Sequence, residues 1–300
     1  MKNKRVNRLF KDRLFRMAFK EKKYLLELYN AMNGSHYTDP DGLIITTLED
    51  VVYLGMKNDA SFLLNDVLSL WEHQSTFNPN MPVRGLAYFA KLYQQYIDSH
   101  GLNIYGSTLQ KLPFPQYVVF YNGALEEPDR KELWLSDAFI RRAEHLHGVI
   151  PAVEVRAVML NVNWGRNKEL MEECKRLKEY SQFVERMRRY KEEYHNLEDA
   201  VERAVEESIE DGILADILVK QRTEVIELFL TDYDEKKQRR LERRDAKKEE
   251  RELVNRLNLA LAEQGRTEDI IRAASDEAYQ NQLIEEVLGE KTDDSDNEWI

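Results

Sequence analysis

Two short extended runs stand close together early in the chain: DASFLL, beginning at Asp59, and VLSLWEHQ, beginning at Val67. Between them lies Asn65-Asp66, a pair suited to a two-residue hairpin turn. With that turn Leu64 faces Val67, Leu63 faces Leu68, Ser61 faces Leu70 and Asp59 faces Glu72. Directly opposed side chains on paired strands have Cβ atoms roughly 5 Å apart. Two carboxylates at that range repel unless a proton or a cation lies between them. Oxygen donors of this kind suit Mg²⁺ or Mn²⁺, which bind through one or two carboxylates, waters and phosphate oxygens. Alternation along the strand puts Gln74 on the face of Glu72 and sends Trp71 and His73 to the other. The spacing therefore predicts a divalent-metal site at Asp59 and Glu72 with Gln74 beside it. A plainer alternative leaves all three as polar groups at frayed strand ends.

Other chemistries find little support. His73, on the opposite strand face, reads as a buried, hydrogen-bonded histidine and not as a ligand. The remaining histidines show no metal-ligand spacing with carboxylates or with Cys174, which argues against zinc. The chain has no glycine-rich phosphate loop and no G-x-S-x-G elbow, so nucleotide-hydrolysing and α/β-hydrolase readings fall away. A single cysteine in 300 residues excludes a disulfide framework and predicts a reducing, cytoplasmic setting. No apolar run approaches the roughly 20 residues that span a bilayer, and the N-terminus lacks the apolar stretch of a signal peptide. The formal net charge of -11 at first argues against nucleic acid, but its distribution is uneven. The first 23 residues hold ten lysines and arginines against Asp12 and Glu21, and the C-terminal end is an acidic tail. A basic face within an acidic protein follows.

The elements that must position these residues can be read from periodicity. Phe10, Leu14, Phe15, Met17 and Ala18, then Leu25, Leu26, Leu28 and Tyr29, recur at helical spacing up to Asn33-Gly34. From Leu43 to Gln74 the chain is rich in Ile, Val, Leu and aromatics with short turn signals, which is the grammar of strands. Asn78, Pro79, Asn80 and Pro82 then break the chain before the helical stretch VRGLAYFAKLYQQYIDSH, which closes at Gly101. YVVFYNG and VRAVMLNVNWG are further strands. The order helix, three strands, helix, strand and at least one more strand predicts a mixed α/β architecture. From Lys168 onward the apolar spacing is helical, with almost no glycine or proline. The run DEKKQRRLERRDAKKEERELVNRL mixes both signs so densely that a solvated helix is the expectation.

The segment KNDASFLLNDVLSLWEHQSTFNPNMPVRGLAYFAKLY, with KDRLFRMAF upstream and LPFPQYVVFYNG downstream, resembles the Rpn family of recombination-promoting nucleases and putative transposases within the PD-(D/E)XK superfamily. The resemblance covers residues 11–163 well and the helical remainder more loosely. It implies a nuclease-like domain over residues 1–165, a mixed sheet flanked by helices, followed by a helical region with an acidic tail over 166–300. It further implies a DNA endonuclease linked to recombination or transposition, with Asp59 and Glu72 holding Mg²⁺ or Mn²⁺. Gln74 stands at the motif's lysine position, where it would orient the attacking water without supplying positive charge. DNA is the implied partner, and the helical half is a candidate for self-association. Arg84, early in the helix after the proline break, is the candidate phosphate contact. Asp12 is either a further carboxylate for the site or part of a helix-surface salt bridge. Tyr88, Phe89, Tyr93 and Tyr96 read as packing. The alternative function is a non-catalytic nucleic-acid or protein-binding module that retains the fold.

Overall fold

The computed structural model describes residues 10–46, 60–140, 149–194 and 196–289, with backbone alone at 232, 234–243, 245, 246 and 249. Helices α1 (Phe10–Ala18) and α2 (Lys22–Asn33) open the described chain. Strands β1 (Leu43–Ile45), β2 (Ala60–Leu64) and β3 (Val67–Gln74) lead to α3 (Met81–Ser99). Strands β4 (Phe114–Tyr121), β5 (Arg130–Trp134) and β6 (Arg156–Asn161) complete one six-stranded sheet in the order β1-β2-β3-β4-β6-β5.

The hairpin register follows the turn. Asn65 takes a φ of 51°, in the left-handed region that asparagine tolerates, and β2 returns as β3 with Leu64 opposite Val67 and Ala60 opposite Trp71. Beyond β3 the sheet becomes parallel, because α3 carries the chain back to the start of β4. Gln74 pairs with Tyr121 and Tyr121 pairs with Asn161, so β3, β4 and β6 end together at one edge. β3 is central and covered on both faces, which explains why the VLSLW of VLSLWEHQ is largely apolar and the strand holds a single acid, the buried Glu72.

Two apolar clusters hold the layers. Phe62, Leu64, Trp71, Val118 and Phe120 point toward α1 and the later helix α5 (Lys175–Glu193). Leu68, Leu70, Tyr117, Val119 and Tyr121 point the other way, onto Met81, Tyr88 and Leu92 of α3. A helix lies so close to the sheet at Gly85 that an added Cβ would stand 2.5 Å from Cε1 of Tyr117. That approach is the reason for glycine inside an otherwise regular helix.

β5 carries no strand signal in its sequence. Its sequence RKELW is strongly charged, and only Leu133 is buried, because the strand sits at the sheet edge, antiparallel to β6. After Asn161 the described chain is helical: α4 (Lys168–Glu173), α5, α6 (Leu197–Glu210), α7 (Ala215–Lys220), α8 (Arg222–Glu263), α9 (Thr267–Ala273) and α10 (Glu277–Leu283). The chain divides into compact units Met1–Asp232 and Tyr233–Ile300. The change from sheet to helix near residue 165 therefore does not coincide with the boundary between units: Tyr180, Phe183, Val201 and Leu218 belong to the same core as Phe62 and Trp71. The second unit has its own small core of Leu257, Leu261, Leu283 and Ile284. Among the described residues no helix is long and apolar enough to cross a membrane.

Candidate active site

Glu72 lies near the C-terminal end of β3 and is 1% exposed. A carboxylate so placed requires compensation. It comes from α3: Nη2 of Arg84 stands 2.8 Å from Oε2 of Glu72 and donates to the hydroxyl of Tyr88 at 3.1 Å. The Tyr88 hydroxyl is also hydrogen-bonded to Glu72. Gln74, on the same strand face, donates from Nε2 to Oε2 of Glu72 at 3.3 Å. Three donors from two elements thus converge on one buried acid. Burial works against the charge of Arg84, but Glu72 and Tyr88 more than reverse that, and the guanidinium is held above its ordinary value. Burial and the neighbouring charge of Glu72 push Tyr88 up to about 12.

The sequence-predicted residues fare differently. Glu72 and Gln74 share a face and touch. Asp59 lies outside the described residues, one position before Ala60, which pairs with Trp71. Arg84 is one-quarter exposed and is engaged within the protein, with Nη2 on Glu72 and on the Tyr88 hydroxyl. Arg84 and Tyr88 are four apart on one helix, so both reach the same point. That spacing was the signal available for Tyr88, whose hydroxyl does more than pack.

His73 is buried on the opposite face, as its strand position predicts. Its Nδ1 lies 2.6 Å from Oδ1 of Asp12 and its Nε2 lies 2.8 Å from the Tyr180 hydroxyl, between α1 and α5. Asp12 is therefore engaged with His73, across the sheet from Glu72, and does not supply a further carboxylate there. Phe89 and Tyr93 stack against each other beside the α3 face of the sheet, while Tyr96 stacks on His100. Cys174 is buried, and burial together with the charge of Glu27 pushes its thiol up, which fits an inert packing role.

Among the described residues no group of three His, Cys, Asp or Glu side chains converges. The donor set at Glu72 is a buried carboxylate and a neutral amide, hard oxygen chemistry that fits Mg²⁺ or Mn²⁺ in kind, with a guanidinium on the same oxygen that a cation must displace or share. A broad concavity of about 1390 Å³ opens elsewhere, lined among others by His36, Tyr93, Gln116, Arg156 and Lys168, and none of Glu72, Gln74 or Arg84 borders it. A buried acid with convergent donors is a more specific chemical feature than an open groove.

No protein-family model, curated protein or solved structure matches the chain. What defines it is architecture: an α/β protein with a mixed six-stranded sheet, flanked by helices and followed by a mostly helical C-terminal half.

Proposed function

We propose that this chain is a Mg²⁺- or Mn²⁺-dependent DNA endonuclease of the PD-(D/E)XK type, related to the Rpn family, acting in the cytoplasm on DNA undergoing recombination or transposition. The observation that carries the proposal is Glu72, a buried carboxylate at a strand end with Gln74 and Arg84 both directed at one of its oxygens. Asp59 and Glu72 would hold the metal. When bound, the metal supplies charge neutralisation at the phosphate and acidifies a coordinated water. Gln74, whose amide donates to Glu72, would orient the attacking water. Arg84 adds a positive charge that the neutral amide cannot, next to the point where charge develops on the phosphate oxygens. Tyr88 stays protonated at neutral pH and holds the carboxylate in place as a donor.

Nicking of supercoiled plasmid in added Mg²⁺ or Mn²⁺ tests the assignment. The unaltered chain is expected to nick, Asp59→Ala and Glu72→Ala to abolish metal-stimulated cleavage, and Gln74→Lys to preserve or raise it. A second reading is favoured by the Arg84–Glu72 ion pair itself, which is also what a structural cross-link between β3 and α3 looks like: a non-catalytic binding module that keeps the fold. Equal nicking by Glu72→Ala, or none by the unaltered chain in any divalent ion, would refute the nuclease and leave the module.

A further inference from the structure

At the edge where β3, β4 and β6 end, two cations meet on one neutral residue. Asn122, immediately after β4, is 1% exposed, and its backbone N–H donates to the Gln74 carbonyl at 2.9 Å. Lys11 of α1 donates from Nζ to the Asn122 backbone oxygen at 2.8 Å and to Oδ1 at 3.2 Å. Arg188 of α5 donates from Nη2 to the same two oxygens at 2.8 and 2.6 Å, and from Nη1 to Oδ1 of Asn163 at 2.7 Å. The two charged nitrogens share the Asn122 Oδ1 acceptor, so they stand no more than about 6 Å apart and repel. The guanidinium of Arg188 donates its hydrogen bonds to neutral oxygens and forms a looser ion pair with Glu185 at 3.6 Å.

The acceptors are themselves fixed. The Asn122 amide donates to the Val162 carbonyl at 3.3 Å, and Asn163 donates to Asn161 Oδ1 at 2.9 Å and to the Gly123 carbonyl at 3.1 Å. Gly123 admits no side chain, since an added Cβ would overlap the Tyr121 ring. The loop after β4 is thus a preset frame that brings an ammonium and a guanidinium from two different helices to one point. Both side chains remain partly exposed there. Crevices at the carboxyl ends of parallel strands are where open α/β sheets bind ligands. Paired cations on a rigid frame match the charge of a phosphate group.

We propose that Lys11 and Arg188, framed by Asn122 and Asn163, form a binding site for a phosphate group, supplied either by a nucleic-acid backbone or by a small phosphorylated ligand. The site needs no divalent ion and no cleavage, so it stands or falls apart from the nuclease proposal.

The test uses the full chain in EDTA. Titration calorimetry with inorganic phosphate forms one arm, and fluorescence anisotropy of a labelled single-stranded oligodeoxynucleotide across a salt series forms the other. Binding in either arm, at least tenfold weaker in Lys11→Gln/Arg188→Gln and retained in Lys11→Arg and Arg188→Lys, supports the site. Phosphate binding alone assigns a small ligand. Oligonucleotide binding, with a salt slope that falls by about 1.4 when both charges are removed, assigns a nucleic-acid backbone. The charge-retaining variants keep the answer readable if the glutamine variants fail to fold. No binding by the unaltered chain in either arm, or unchanged binding by a folded double glutamine variant, overturns the proposal.

Discussion

Replacing Arg84 by methionine isolates the interaction that keeps Glu72 buried. Glu72 is 1% exposed, and Arg84 approaches its carboxylate at 2.8 Å from a side chain that is itself 25% exposed. Stripping a buried ion of its partner costs about 3–5 kcal/mol. Gln74 and Tyr88 still donate to Glu72, and the pair is partly open to water on the arginine side, which lowers the expectation to about 2–3 kcal/mol. Glu72→Gln leaves a guanidinium that can turn to solvent, and should cost less, about 1–2 kcal/mol. The double variant should then be more stable than the sum of the two losses implies, with a coupling of about 1–2 kcal/mol. Urea unfolding followed by tryptophan fluorescence reads this, because three of the four tryptophans, Trp71, Trp134 and Trp164, lie in the first compact unit. A loss below about 0.5 kcal/mol for Arg84→Met, or strictly additive losses, would show that the ion pair does not hold the acid in place.

Two further outcomes are expected. Tyr88, raised to about 12 by burial and by Glu72, favours its neutral form in the folded state, so its contribution is intact below the ordinary phenol value near 10 and is lost as pH rises toward 12. Unfolding curves between pH 9 and 12 should fall more steeply for the unaltered chain than for Tyr88→Phe, by up to about 2 kcal/mol, and parallel curves would contradict this. Gly85→Ala opposes two rules: helix propensity alone predicts a gain of about 1 kcal/mol, whereas the 2.5 Å approach to Tyr117 predicts a net loss of about 1–3 kcal/mol. A raised denaturation midpoint would mean that the helix moves away from the sheet at little cost.

What the sequence revealed and what it hid divide by chain separation. The β2–β3 register was readable because a two-residue turn fixes it, and Asn65 supplies the backbone conformation that turn needs. The face shared by Glu72 and Gln74 follows from strand alternation alone. β5 was hidden because an edge strand is identified by hydrogen bonds to β6 and not by apolar alternation, and RKELW buries only Leu133. The partners of His73 were hidden for a related reason: Asp12 and Tyr180 are 61 and 107 residues away, and no local pattern connects them.

The cations make the limit plainest. Lys11, Arg84 and Arg188 share the same local grammar, each a basic residue on an amphipathic helix, and a reading by periodicity treats all three as solvated. Their chemistry is set by what lies across from them. Arg84 crosses to β3 and meets a carboxylate, so most of its charge is used within the protein. Arg188 crosses to the end of β4 and donates to amide and carbonyl oxygens, with its only acidic neighbour among the described residues the looser ion pair to Glu185 at 3.6 Å. The first arrangement stabilises a buried acid, and the second gathers two cations at the edge where the parallel strands end. Capacity to bind an anion therefore belongs to the fold's placement of acceptors and not to the count of lysines and arginines. This is also why a net charge of -11 does not argue against a phosphate-binding edge.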